Sequence, residues 1–164
     1  MSAVDRHGAA RPVRVRLATA ADLDALQALE ENTFTSDRIS RRQWRHHLAN
    51  PCATVLVSGA AGRVDAAAMA LYRRNSRSAR LYSLAVGAHA RGTGLGGSLL
   101  AAIETDAQAR GCTSIYLEVH VGNVIAITLY TRHGFVRTGR LAHFYEDGGD
   151  AWRYVKGLRA SVDR

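Results

Sequence analysis

Seven residues between an apolar strand pattern and an amphipathic helix pattern limit this chain more than any other stretch: Arg91-Gly92-Thr93-Gly94-Leu95-Gly96-Gly97. Closely spaced glycines permit positive φ and leave no Cβ between the backbone and a ligand. Where a strand turns into a helix, their amides and the helix N-terminus make a nest for an anion, above all a phosphate. Two registers of the loop are open. Gly92-x-Gly94-x-x-Gly97 fits the dinucleotide fingerprint, with Glu118 at about the 20-residue distance expected of its ribose-binding acid. Arg91-x-x-Gly94-x-Gly96, begun one residue earlier, fits a different pyrophosphate loop with a guanidinium at its rim.

The flanks choose between them. In the dinucleotide fold the first glycine makes the strand-to-helix turn itself and opens a repeated βαβ pattern. Here Gly87-Ala88-His89-Ala90-Arg91 stand between Val86 and Gly92, hairpin strands come first, and too little chain remains for a second mononucleotide half. A P-loop fits no better, because no Gly-Lys-Ser/Thr follows the glycines.

Periodicity predicts one mixed α/β domain in the order β-α-α-β-β-β-α-β-α-β-β. Residues 14–17 alternate as a first strand. Thr19 caps a helix to about Glu31, and Ser40 opens a second over residues 41–50, stopped by Asn50-Pro51. Strands at 53–58 and 64–72 flank a turn at 59–62, and a polar turn at 73–78 leads to a strand at 81–86. A helix at 94–110 ends at Gly111, a strand follows at 114–119, and Asn123 caps a helix to His133 that Gly134 ends. Strands at 135–141 and 151–158 complete the domain, expected over residues 13–160 between a disordered lead-in (1–12) and a tail (161–164).

Other features narrow the function by what they lack. No apolar run approaches the roughly 18 residues of a membrane span, and the N-terminal residues carry no signal-type apolar core, so the cytoplasm is the expected compartment. The formal charge of +8 invites a nucleic-acid partner, but the basic residues are spread along the chain with no dense run and no interleaved aromatics. Nucleic acid is therefore not expected as a partner. Cys52 and Cys112 stand alone, and the histidines show no ligand spacing, so neither a disulfide nor a metal site is expected.

Val86-x4-Arg91-x2-Gly94-x-Gly96, then Leu117-Glu118-Val119, then Asn123-x2-Ala126-x3-Tyr130-x3-Gly134-Phe135 together resemble the GNAT superfamily of acetyl-CoA-dependent N-acetyltransferases. Within it the chain is most similar to the RimI type of protein N-terminal acetyltransferase, over about residues 14–158. The resemblance implies a mostly antiparallel sheet of six to seven strands with a V-shaped splay, flanked by about four helices. It implies that Leu84, Ala85 and Val86 offer backbone groups to the pantetheine arm of acetyl-CoA. Arg91, Gly92, Thr93, Gly94, Leu95, Gly96 and Gly97 would hold its pyrophosphate, and Asn123 would touch it from the following helix while also capping that helix.

The same resemblance implies that Glu118 is the general base and Tyr130 the general acid of a direct transfer through a ternary complex. A base is needed because an α-ammonium, with a pKa of about 8, is not nucleophilic until it loses a proton. A phenol, titrating at about 10, keeps its proton until the departing thiolate needs one. The amide of Val86 or a close neighbour is the implied oxyanion donor. Tyr145, in a segment resembling the peptide-holding C-terminal hairpin, is the expected acceptor contact, with Phe34 and Tyr72 as further candidates for the acceptor groove. Where RimI-type proteins carry Pro-Trp-Ser, this chain has Thr35-Ser36-Asp37-Arg38-Ile39-Ser40, a departure at the acceptor side. The expected acceptor is a protein or peptide N-terminal amine and the expected state a monomer or homodimer. The alternatives are acetylation of a small amine (polyamine, amino acid or aminoglycoside) and a non-catalytic acyl-CoA-binding domain.

Overall fold

The computed structural model describes residues 14–60 and 62–159; the expected lead-in at 1–12 and tail at 161–164 lie outside the described residues. Its sheet has the order β1-β2-β3-β4-β5-β7-β6. In chain order the elements are β1 (Val15–Leu17), α1 (Leu23–Thr33), α2 (Arg41–Ala49), β2 (Ala53–Ser58), β3 (Ala66–Leu71), β4 (Ser78–Val86), α3 (Leu95–Ala109), β5 (Ser114–His120), α4 (Val124–Arg132), β6 (Val136–Leu141) and β7 (Ala151–Gly157). Among these helices none is long and apolar enough to cross a membrane. The order of elements and the seven-stranded mixed sheet match the expectation from periodicity and resemblance.

The strand β3, Ala-Ala-Ala-Met-Ala-Leu, shows why the middle of the sheet is sandwiched. Its small side chains leave room for helices on both faces. On one face Leu26, Leu29 and Trp44 of α1 and α2 pack on Val55, Val57 and Met69. On the other, Leu99, Leu100 and Ile103 of α3 pack on Ala68, Leu81, Ile115 and Leu117. Burying a Leu- or Phe-sized side chain contributes roughly 1.5–3 kcal/mol, so these two layers carry most of the driving force.

Local signals set the helix ends. Ser40 Oγ accepts from the Gln43 amide at 3.1 Å while the Gln43 side chain accepts from the Ser40 amide at 2.8 Å, a reciprocal cap on α2. Ahead of α1, a short 3-10 turn over Ala20–Asp22 ends in a buried carboxylate. Arg16 satisfies it in bidentate fashion, at 2.8 Å to each oxygen.

The functional consequence of the sheet lies between β4 and β5. They pair in parallel over three positions, Ser78↔Ser114, Ala79↔Ile115 and Arg80↔Tyr116. Beyond Arg80, β4 stays with β3 as far as Ala66↔Val86, while β5 stays with β7 as far as His120↔Ala151. The two strands therefore part and open a V. A bulge helps to turn β4 away: Met69 faces Ser83 and Ala70 faces Leu81, leaving Tyr82 as the extra residue.

One difference from the sequence expectation bears directly on the site. β4 begins at Ser78 rather than Leu81, because the polar residues 78–80 are the ones that pair with β5, with Ala79 fully buried. β7 inserts between β5 and β6, an arrangement that no local pattern encodes.

Candidate active site

At the head of α3 the glycine loop has the geometry of an anion nest. Gly92 and Gly94 adopt φ of 76° and 83°, and Gly94 is the N-cap of α3. A Cβ at either position would meet nothing within 4 Å, so these two glycines serve backbone conformation beneath open space. The Thr93 hydroxyl donates to the Ala90 carbonyl and braces the loop. The amides of residues 92–97 find no acceptor among the described residues, leaving them free for phosphate oxygens.

Gly96 and Gly97 have a different reason to be glycine. A Cβ at Gly96 would stand 3.0 Å from Leu129 Cδ2, and one at Gly97 would stand 2.9 Å from His133 Nε2. Both let α4 approach α3. Leu95 likewise sends its side chain into the core, so only its amide faces the nest. Arg91 is exposed at the loop.

The side chains of Leu84 and Val86 pack toward the α3 side of the sheet and that of Ala85 toward the α1 side. What β4 offers across the V is backbone, since its ladder with β5 ends at Arg80. The residues present suit a phosphate-bearing ligand with an extended arm: free amides at a helix N-terminus, open space above two glycines, and a strand edge unpaired with β5 leading away from them.

A cleft of about 490 Å³ fills the V. Its walls come from residues 80–84 of β4, residues 118–120 of β5, one side of α4, and the connections between α1 and α2 and between β6 and β7. Glu118, Tyr130, Leu84, Asn123, Phe34 and Tyr145 all line it.

The Glu118 side chain is 5% exposed. Its Oε2 accepts from Arg80 Nε at 3.2 Å, with Arg80 Nη2 ion-paired at 3.1 Å, and its Oε1 accepts from Arg153 Nη2 at 3.0 Å. Arg80 is the last β4 residue paired with β5, and Arg153 lies directly opposite Glu118 on β7. The sheet therefore sets this clamp.

Tyr130 is buried, its ring 5.8 Å from that of Phe135 and tilted by 60°. Burial, with a smaller push from Tyr145, raises its pKa well above the usual phenol range. Asn123 caps α4, its Oδ1 accepting from the Ala126 amide at 3.2 Å.

Over the acceptor side, Tyr145 stacks on His120 with centroids 5.3 Å apart, and Phe144 meets it edge-on at 4.9 Å. Its pKa is pushed up to about 12, first by burial and then by the negative charges of Glu118 and Asp37. His120 Nδ1 accepts from the Gly122 amide at 3.0 Å, so in the neutral ring Nε2 carries the proton, 3.6 Å from Asp147 Oδ2. Asp37, at φ 52°, accepts from the Glu146 amide at 3.3 Å to each oxygen. That contact ties the α1–α2 connection to the β6–β7 connection.

The structure does not bring Tyr72 to this cleft. Its hydroxyl donates to Asp106 Oδ2 at 2.6 Å, and the Arg110 guanidinium lies 4.2 Å over its ring, which makes it part of a clasp between β3 and α3. Phe34 both lines the cleft and packs on the α1 core. Sequence reading missed Arg80, Arg153, His120 and Asp37. The strand pattern expected at 114–119 needs only one more residue to put His120 on the face of Glu118, whereas the arginines become visible only with the strand order. Cys112 is buried, with its thiol pKa raised by that burial, and does not line the cleft.

Comparison with known proteins points the same way. The model of the acetyltransferase (GNAT) family matches residues 20–135. The chain is 40% identical over 63 residues to the N-alpha-acetyltransferase MAK3 of Arabidopsis thaliana, covering 38% of this chain and 33% of that protein. It is 39% identical over 72 residues to N-alpha-acetyltransferase 30 of Schizosaccharomyces pombe, covering 44% and 48% respectively. The matched stretch thus spans less than half of either relative. Among solved structures, the ribosomal-protein-S18-alanine N-acetyltransferase of Escherichia coli superposes with a TM-score of 0.78 at 22% identity, over 92% of this chain and 97% of that one. The ribosomal-protein-alanine N-acetyltransferase of Brucella melitensis gives 0.75 at 29% identity, over 89% and 100%.

Proposed function

Because the chain belongs to the acetyltransferase (GNAT) family, we propose that it transfers acetyl from acetyl-CoA directly to an amine, and that this amine is the N-terminal α-amine of a protein or peptide. The observation that carries the reading is the V between β4 and β5, in which a buried carboxylate, Glu118, and a buried phenol, Tyr130, line one cleft beside the β4 strand that runs on to the glycine nest. The N-terminal acceptor is favoured by the names of the relatives and by the aromatic rim of Tyr145 and Phe144 beside the cleft.

In this mechanism the nest at residues 92–97 holds the pyrophosphate, and the unpaired edge of Leu84, Ala85 and Val86 aligns the pantetheine arm. Asn123 contacts the same ligand from the head of α4. Acetyl-CoA supplies the activated acyl group. Glu118 accepts a proton from the ammonium, directly or through one water, and the nitrogen lone pair then attacks the thioester carbon. Guanidinium hydrogen bonds, one on each oxygen, take two of the roughly four acceptor directions on this carboxylate, which leaves room for the acceptor. The amide of Val86 or its close neighbour faces the oxygen that gains negative charge. As the carbon–sulfur bond breaks, Tyr130 gives its proton to the sulfur, and the second proton that the nitrogen sheds as the amide forms restores the phenol, directly or through water; burial holds the phenol proton in place until then. No side chain is acylated.

The test is thiol release from acetyl-CoA with three acceptor sets: peptides bearing a free α-amine, the same peptides blocked at the N-terminus, and small amines including polyamines, amino acids and aminoglycosides. Preference for free-amine peptides is expected. Preference for a small amine would replace the acceptor assignment. Binding of CoA without thiol release in any set would refute an enzyme.

A further inference from the structure

An ammonium entering the cleft meets an electrostatic problem at Glu118. One carboxylate there faces two guanidiniums, Arg80 and Arg153, so the cluster as a whole carries positive charge. It suits proton removal at the last moment better than attraction of a cation from solvent. The cleft has another carboxylate that the steps above do not use. Glu30, near the end of α1, is 3% exposed and lines the cleft. One of its oxygens accepts from the Ile39 amide at 2.9 Å. The other accepts no hydrogen bond from the described residues.

The neighbouring cation does not quench it. Arg38 donates to the carbonyls of Phe34 and Glu31, not to Glu30. Burial raises the Glu30 pKa, while the Ile39 amide and the charge of Arg38 pull the other way. A desolvated carboxylate with one open oxygen gains more from an arriving cation than a solvated one does, because the new partner offsets the burial penalty. Asp37 is a weaker candidate, since it is exposed and both its oxygens face the Glu146 amide.

We infer that Glu30 binds the ammonium of the acceptor in the cleft through its open oxygen, ahead of proton removal at Glu118. The inference rests on the cleft being the amine-acceptor site. Its competitor is a purely structural role, in which Glu30 does no more than anchor the α1–α2 connection through Ile39.

Two substitutions separate these roles. Glu30→Gln keeps a carbonyl for the Ile39 amide and removes the charge. Glu30→Asp keeps the charge and shortens the arm that reaches Ile39. The readouts are kcat and KM for a free-amine peptide, binding of the N-acetylated form of that peptide, and acetyl-CoA binding. Glu30→Gln should raise KM for the free-amine peptide about tenfold or more, the value of a charge-assisted hydrogen bond. It should leave kcat and the binding of both neutral product peptide and acetyl-CoA nearly unchanged. Glu30→Asp should keep KM closer to the parent value than Glu30→Gln does. Any other ordering of the two variants, or equal weakening of the free-amine and acetylated peptides, overturns the assignment. A parent protein that acetylates no amine at all would sink the proposed function and this inference together, whereas an active parent with an unaffected Glu30→Gln sinks the inference alone.

Discussion

On the β4 side of the V the chain presents backbone, and on the β5 side it presents side chains. Leu84, Ala85 and Val86 spend their side chains on the two cores, so what remains for a ligand is those of their amides and carbonyls that do not pair with β3. The loop at residues 92–97 continues that surface with free amides. Across the V, Glu118 and His120 project from β5 into an arrangement completed by Arg153 from β7 and Tyr145 from the β6–β7 connection. A backbone site asks for conformation, which glycines and a strand edge supply. A side-chain site asks for identity at several positions that lie far apart in sequence. Damage to the first side should appear as lost cofactor affinity, and damage to the second as lost turnover.

The largest effect belongs to the β5 side. Glu118→Gln should lower kcat by about 100-fold or more at neutral pH with acetyl-CoA affinity unchanged, the range expected for a general base. The loss should shrink as pH rises past the amine pKa of about 8, because the acceptor then arrives already deprotonated. A pH–rate series checks this; a loss constant with pH would assign Glu118 to holding Arg80 and Arg153 instead. Tyr130→Phe follows, at about 10²-fold in kcat, since it removes the proposed donor to sulfur. It keeps the ring against Phe135, and the hydroxyl makes no hydrogen bond among the described residues, so the melting temperature should hold. An unchanged kcat would leave Tyr130 as packing.

The same contrast explains what could be read in advance. The glycine loop was legible because its chemistry is a matter of residue type, and the alternation of β5 placed Ile115, Leu117 and Val119 in the core and Glu118 on the other face. The Arg80–Glu118–Arg153 clamp was not legible. Arg80 falls between the polar turn expected at 73–78 and the strand expected at 81–86, until pairing with β5 extends the strand back to Ser78. Arg153 reaches Glu118 because β7 lies between β5 and β6, a tertiary choice with no local signal. Gly96 and Gly97 were recognised as glycines of the loop, but the approach of α4 that requires them shows only in space.

A smaller effect is expected on the β4 side. Gly94→Val puts a branched side chain where φ is 83°, at a conformational cost of at least about 1–2 kcal/mol for a non-glycine residue. No atom lies within 4 Å of the new Cβ, so the fold has nothing to clash with. The space it fills is where the pyrophosphate would sit. Acetyl-CoA should bind about tenfold or more weakly by calorimetry, while kcat at saturation changes less than affinity does. Normal affinity would refute the loop assignment.

The smallest effect marks where the acceptor side ends. Tyr72 belongs to β3's clasp with α3, and its hydroxyl donates to Asp106 beside that of Thr54 at 2.7 Å, with the Arg110 guanidinium ion-paired at 3.3 Å. Tyr72→Phe removes one donor and keeps the ring beneath Arg110. The Thr54 hydroxyl and the Arg110 charge still hold the carboxylate, so the loss should be about 1–2 kcal/mol of stability, read as a lower denaturant midpoint with an unchanged slope. Neither kcat nor KM for a peptide should move, because Tyr72 does not line the cleft. A raised KM with intact stability would extend the acceptor groove across the sheet to β3, and the division between a backbone side and a side-chain side would have to be redrawn.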